Sequence, residues 1–161
     1  MDILSRQPLC VVLNNQHQIR LDEYLAVHQT TPDRAVLFQP YTDKHLRQVY
    51  DILKNSTDPV PIFLVVGAYG EVTKAVGLLH SLEYQDSMSD DRKQELRQMV
   101  SKYDDDLYAL NILSVSNLLS FRNDLPLRTL FKHSDGKPLE PGQWTASICH
   151  TPLLSKIIQS L

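Results

Sequence analysis

Two periods of apolar and polar residues run along this chain, and the places where one gives way to the other mark its elements. Leu9 to Leu13 and Ala35 to Phe38 are short apolar runs bounded by turn formers, a pattern that predicts two strands. Leu21 to His28, between them, reads as a short helix. Next, Leu46, Val49, Tyr50 and Leu53 recur at i, i+3, i+4 and i+7, which predicts an amphipathic helix capped by Thr42 and running to about Asn55. Asp58, Pro59 and Pro61 stop it. Ile62 to Val66 is then a continuous apolar strand, Gly67 to Gly70 supplies a turn, and a second strand alternates Val72, Lys74, Val76, Leu78, His80, Leu82 and Tyr84 on one face. This hairpin is the strongest local signal in the chain.

Ser89, Asp90 and Asp91 open a further helix with a stripe of Leu96, Met99, Val100 and Tyr103, ended by the acidic run Asp104 to Asp106. Leu107 to Val115 reads as a strand, followed by a loop-rich region with Pro126, Gly136, Pro138, Pro141 and Gly142. Trp144 to Cys149 reads as a last short strand. Thr151, with Pro152 at the first helical position, starts a terminal helix expected to bury Leu154, Ile157, Ile158 and Leu161. No repeat, Gly/Ser linker or low-complexity tract divides the sequence. The expectation is one compact α+β domain over residues 1–161, with a curved mixed sheet or small β-barrel of about five or six strands flanked by helices.

Composition narrows the classes further. In 161 residues, 42% are hydrophobic and 22% charged, so collagen-like, fibrous and wholly disordered readings drop out. No run approaches the roughly 20 apolar residues that span a bilayer, and Met1 to Pro8 holds Asp2 and Arg6 without an apolar signal core. The expectation is a cytoplasmic protein with no membrane partner. Cys10 and Cys149, each flanked by apolar residues, fit buried reduced thiols better than a disulfide framework.

The formal net charge of -3 argues against a protein that coats nucleic acid by charge alone. The charge is unevenly spread. Residues 118–161 carry Arg122, Arg128, Lys132, Lys137 and Lys156 against only Asp124, Asp135 and Glu140, whereas acids outnumber bases in the first 117 residues. Ordinary scattered surface charge is the bland account of that basic end.

Familiar catalytic constellations are missing. The six histidines form no HExxH and no pair at i, i+4, and there is no CxxC, so no metal is expected. Cys149 and His150 are adjacent, and neighbours on a strand point to opposite faces, which suits neither as nucleophile and base. Gly67 to Gly70 lacks the lysine and third glycine of a phosphate-cradling loop, and Asp104 to Asp106 lacks the glycine turn and distal glutamate of a calcium loop. No cofactor and no catalytic residue are expected. An acyltransferase-like enzyme is a remote reading, suggested by Val76, Gly77 and Leu78 but without the glycine-rich coenzyme A loop.

The hairpin with "KAVGLLHSLEY" as its second strand, the later strand "LYALNILSV", and "LPLRTLFKHSDGKPLEPGQW" before the terminal helix resemble the PUA-like superfamily, in particular its EVE and ASCH modules. The resemblance covers about residues 60–160. It implies a small curved barrel flanked by helices that binds DNA or RNA without catalysis, placing one nucleotide, sometimes with a modified base, in an aromatic pocket. On this resemblance the chain is expected to be one specificity domain of a larger nuclease or helicase, as in restriction-modification systems. By position, Val76 and Gly77 would keep the wall thin, and Leu125, Pro126 and Leu127 would close one end. The chain departs from the family in its acidic first two thirds and in the lack of an unmistakable aromatic cage.

Physical chemistry supplies candidate residues, since an exposed ring can stack a base while basic groups hold its phosphates. Tyr41, Tyr69 and Trp144 fall at element ends, and Gln39 could bond a base edge. Arg122, Arg128, Lys132 and Lys137 are the phosphate-contact candidates. Each has a plainer role, Trp144 in core packing and the others at the surface. The alternative function is a protein-interaction or regulatory module whose apolar C-terminal helix docks on a protein partner.

Overall fold

The computed structural model describes residues 8–30, 36–39, 43–83, 88–92, 94 and 111–161. Its elements are β1 (Leu9–Gln16), α1 (Gln18–Thr30), β2 (Val36–Gln39), α2 (Asp43–Asn55), β3 (Val60–Val66), β4 (Val72–Glu83), β5 (Asn111–Pro126), a 3-10 turn (Leu127–Thr129), β6 (Phe131–Lys132), β7 (Ala146–His150) and α3 (Leu154–Ser160). The strands form one mixed sheet in the order β2-β5-β4-β3-β1-β7-β6, so the fold is α+β. β1 and β3 run parallel, and every other neighbouring pair is antiparallel. Among the described residues its two edges do not pair. The sheet is open, and the closed-barrel version of the expected fold is not formed.

Alternation along the strands splits the core into two layers. On one face, Val11, Leu13, Ile62, Leu64, Ala75, Leu79, Leu113 and Val115 pack with Leu21 and Tyr24 of α1 and Leu46 and Val49 of α2. On the other, Cys10, Val12, Phe63, Val65, Phe121 and Leu125 pack with Leu127, Leu130, Leu139 and Ile157 of α3. β3 feeds both layers, so its unbroken apolar run Ile62 to Val66 is what a strand covered on two faces requires.

The β3–β4 hairpin forms in the expected place, with Ile62 opposite Gly77 and Leu64 opposite Ala75. Its faces are distributed differently. Thr73, Ala75, Gly77 and Leu79 are the buried set, while Val72, Lys74, Val76 and Leu78 are half-buried and His80 is exposed. A register shift between Leu79 and Ser81 then carries Leu82 over to the buried side. At Gly77 a side chain is excluded because β5 approaches closely there. A Cβ on Gly77 would stand 2.7 Å from Val115 Cγ1 and 3.3 Å from the Ser116 carbonyl oxygen.

Several expectations are corrected. The strand expected to stop at Val115 continues to Pro126, with polar Ser116 and Ser120 paired opposite Leu78 and Ala75 and Asn117 taken up in the bulge facing Gly77. Trp144 precedes β7 instead of opening it, and the two-residue β6 had no sequence signal. Tyr50, placed in the buried stripe of α2, is 42% exposed. In α3 only Ile157 of the four expected apolar residues is buried; Leu154 and Ile158 are 70% and 59% exposed, and Leu161 is partly so. The helix turns the face of Ile157 and Ser160 inward, which leaves Ile158 on the outer side. Thr151 and Pro152 precede the helix, whose first flanking residue is Leu153 without a side-chain cap. Ser89 does cap, accepting the Arg92 N–H at 3.2 Å. The remainder of that helix, and the Thr42 cap of α2, lie outside the described residues.

Candidate functional site

Two of the aromatic candidates come together. Tyr69 lies in the turn between β3 and β4 and Trp144 lies just before β7, 75 positions later. Their ring centroids are 6.2 Å apart and the rings meet edge to face at 83°. Tyr69 is 74% exposed and Trp144 59%, so neither is a core residue. Core packing for Trp144 is thereby excluded.

Backbone bonds hold the pair in place. The Gly67 N–H donates to the Gln16 carbonyl at 2.9 Å and the Gly142 N–H donates to the Ala68 carbonyl at 2.7 Å, tying the hairpin turn to both β1 and the 142–144 loop. Gly67 and Gly142 have φ of 76° and 100°, in the left-handed region where a Cβ is costly. Asn14 fixes the far side of the loop: its Nδ2 donates to the Thr145 carbonyl at 2.6 Å and to Ser147 Oγ at 2.9 Å.

Gln143, between Gly142 and Trp144, also lines an open cleft of about 670 Å³. It is lined by Gln48, Asp51 and Ile52 of α2, by Lys132, His133 and Ser134, and by Leu9, Ser147 and Ile148. The size lies within the range of small-molecule sites, about 300–1,000 Å³. The His133 ring stands edge-on to His150, with centroids 5.4 Å apart. No protein-family model matches this chain, and no curated protein matches it.

The basic candidates divide. Arg128, Lys132 and Lys137 all sit on the 127–140 segment, a small lobe closed by Lys132 N–H to Lys137 O at 2.9 Å and Leu139 N–H to Leu130 O at 2.8 Å. Arg122 lies apart on β5. The lobe carries its own counter-charges: Lys132 Nζ is 3.1 Å from Asp135, and Arg128 is 3.8 Å from Glu140 with both partners exposed. The Lys137 backbone N–H and the Lys132 ammonium hold the Asp135 carboxyl below its ordinary range. A phosphate arriving at Lys132 would compete with that carboxylate. Gln39 ends β2 opposite Asn111, and Tyr41 lies outside the described residues.

Sequence reasoning missed two clusters. His80 Nε2 and Ser116 Oγ lie 2.6 Å apart across β4 and β5. Cys10 and Cys149 stand opposite each other in the β1–β7 ladder. Neither pairing has a local signal, because strand register decides both. Among the described residues no helix is long and apolar enough to cross a membrane.

Proposed function

We propose that this chain is a nucleic-acid-binding module of the PUA-like kind, with Tyr69 and Trp144 as a stacking surface for a base of DNA or RNA. The exposed edge-to-face pair carries this reading, since two large rings held in water by a backbone-anchored loop give no return in core burial. Stacking on such rings tolerates any base, modified or plain, and suits a strand that is single or locally unpaired. The adjoining cleft offers Gln143 and Lys132 to the same strand. The long bulged β4–β5 pair and the Gly77 crossing support the PUA-like part, as these are the segments that carry the resemblance.

Fluorescence anisotropy with plain and base-modified single-stranded DNA and RNA, at two salt concentrations, tests it. Trp144→Ala and Tyr69→Ala should each cost about 1–3 kcal/mol while leaving the salt slope unchanged. Lys132→Gln should make the slope of log affinity against log salt shallower by about 0.7, the share of one phosphate partner on a single strand. Absence of binding to every probe at low salt would sink the proposal. The second reading, a protein-interaction module, rests on α3, whose Leu154 and Ile158 stay exposed; it takes precedence on that outcome.

A further inference from the structure

The β4–β5 seam holds a second constellation, away from the aromatic pair. Two irregularities of the ladder create it. One shift lies between Leu79 and Ser81, where His80 sits, and another sets the single residue Gly77 of β4 against Asn117 and Leu118 of β5, directly after Ser116. Bulges re-aim side chains and recur beside active sites. Asn117 has φ 53°, a left-handed geometry that a non-glycine residue adopts at a cost and that clusters at functional positions. The bulge is fastened from below, where His28 Nδ1 accepts the Leu118 N–H at 3.1 Å. The result is the short contact between His80 Nε2 and Ser116 Oγ, within the reach expected of a nucleophile and its base.

We propose that Ser116 and His80 form a nucleophile–base dyad that accepts an acyl group from a small aliphatic ester. His80 is exposed, whereas Ser116 is only 6% exposed, so an ester approaches past the imidazole. Beside them on the same face of the sheet lie Leu78, opposite Ser116 in register, and Leu119, opposite Val76 and 51% exposed. This apolar strip fits a short acyl chain and explains a leucine left in solvent on a strand. In the first step the Ser116 Oγ–H proton passes to His80 Nε2 as Oγ bonds to the acyl carbon; the ester C–O bond then breaks, and the departing alkoxide takes that proton. Water, giving a proton to the same nitrogen, attacks the acyl carbon; the proton returns to Oγ as the carboxylic acid leaves. Among the described residues no carboxylate bonds to His80, so Ser116 alone orients the ring and slow turnover is expected.

The dyad uses neither Tyr69, Trp144 nor the cleft, so its test is separate from that of nucleic-acid binding. The native chain is treated with a fluorophosphonate probe and, in parallel, with p-nitrophenyl butyrate. One probe per chain should appear, and peptide mass spectrometry should place it on Ser116. Ser116→Ala should abolish both labelling and ester cleavage, and His80→Gln should slow labelling by about 100-fold or more. Circular dichroism checks that both variants fold, and the wild-type readout needs no variant at all. Folded wild-type protein without label on Ser116, label on a different residue, or an unchanged rate in His80→Gln would each overturn the dyad.

Discussion

Cys10 and Cys149 illustrate what a residue's neighbours do to its chemistry. Both thiols are free and fully buried, and burial pushes Cys149 up to about 12 and Cys10 higher still. They face each other in register, yet the ladder keeps them apart. Thr151 N–H bonds to Pro8 O at 2.8 Å, and Cys10 with Cys149 lies two positions further along, so it is also a hydrogen-bonded pair. Such pairs hold their Cβ atoms about 5.5 Å apart, beyond the roughly 3.5–4.5 Å of a disulfide. Both cysteines should therefore react slowly with a thiol reagent in the native protein, rapidly once unfolded, and resist cross-linking by diamide. Fast native labelling of Cys149, or a native intramolecular disulfide, would contradict this. Their burial was legible from the apolar neighbours of each; their pairing was not, because it depends on how β7 registers against β1.

Elements whose burial is one-sided show where periodicity succeeds and where it fails. In α2, Leu46 and Val49 are buried as the stripe requires, and Tyr50, at the stripe's margin, is half in water. In α3 four apolar residues compete for one short contact with β5, and Ile157 takes it. Ile157→Ala should cost about 2–5 kcal/mol in urea denaturation, less any relief from its partly open edge, whereas Ile158→Ala should change stability by less than about 0.5 kcal/mol. Equal losses at the two positions would mean that α3 is seated differently. β5 shows the opposite error, since serines that read as loop pair within the ladder, Ser116 opposite Leu78 and Ser120 opposite Ala75, while a bulge takes up Asn117. Hydrophobic period reports which residues prefer burial, while length and register decide which of them obtain it.

At the scale of the molecule, His28 joins the helical layer to the sheet. It is 5% exposed on α1, accepts the Leu118 N–H, and among the described residues its Nε2 has no hydrogen-bond partner. Accepting through Nδ1 requires the neutral ring, and burial lowers its pKa below the ordinary value. Above about pH 6.5 the ring is neutral in folded and unfolded chains alike, and its full contribution is present. As pH falls below that value the unfolded chain takes up a proton that the folded one refuses, so stability declines until the lowered folded pKa is reached. Urea midpoints measured at pH 7.5 and 5 should fall with acid in the wild type and fall less in His28→Gln; identical pH dependence in the two would remove His28 from this role.

Short-range pattern and turn chemistry were enough to read the alternation of helices and strands, the hairpin from Ile62, the two buried thiols and the placement of Tyr69 and Trp144 near element ends. The open sheet, the meeting of Tyr69 with Trp144, the cleft beside Gln143, and the contacts of His80 with Ser116 and His28 with Leu118 arise from the folded chain alone. These depend on strand order, register and bulges, which balance backbone hydrogen bonds against burial across residues far apart in the chain, and no local window contains both sides of that balance.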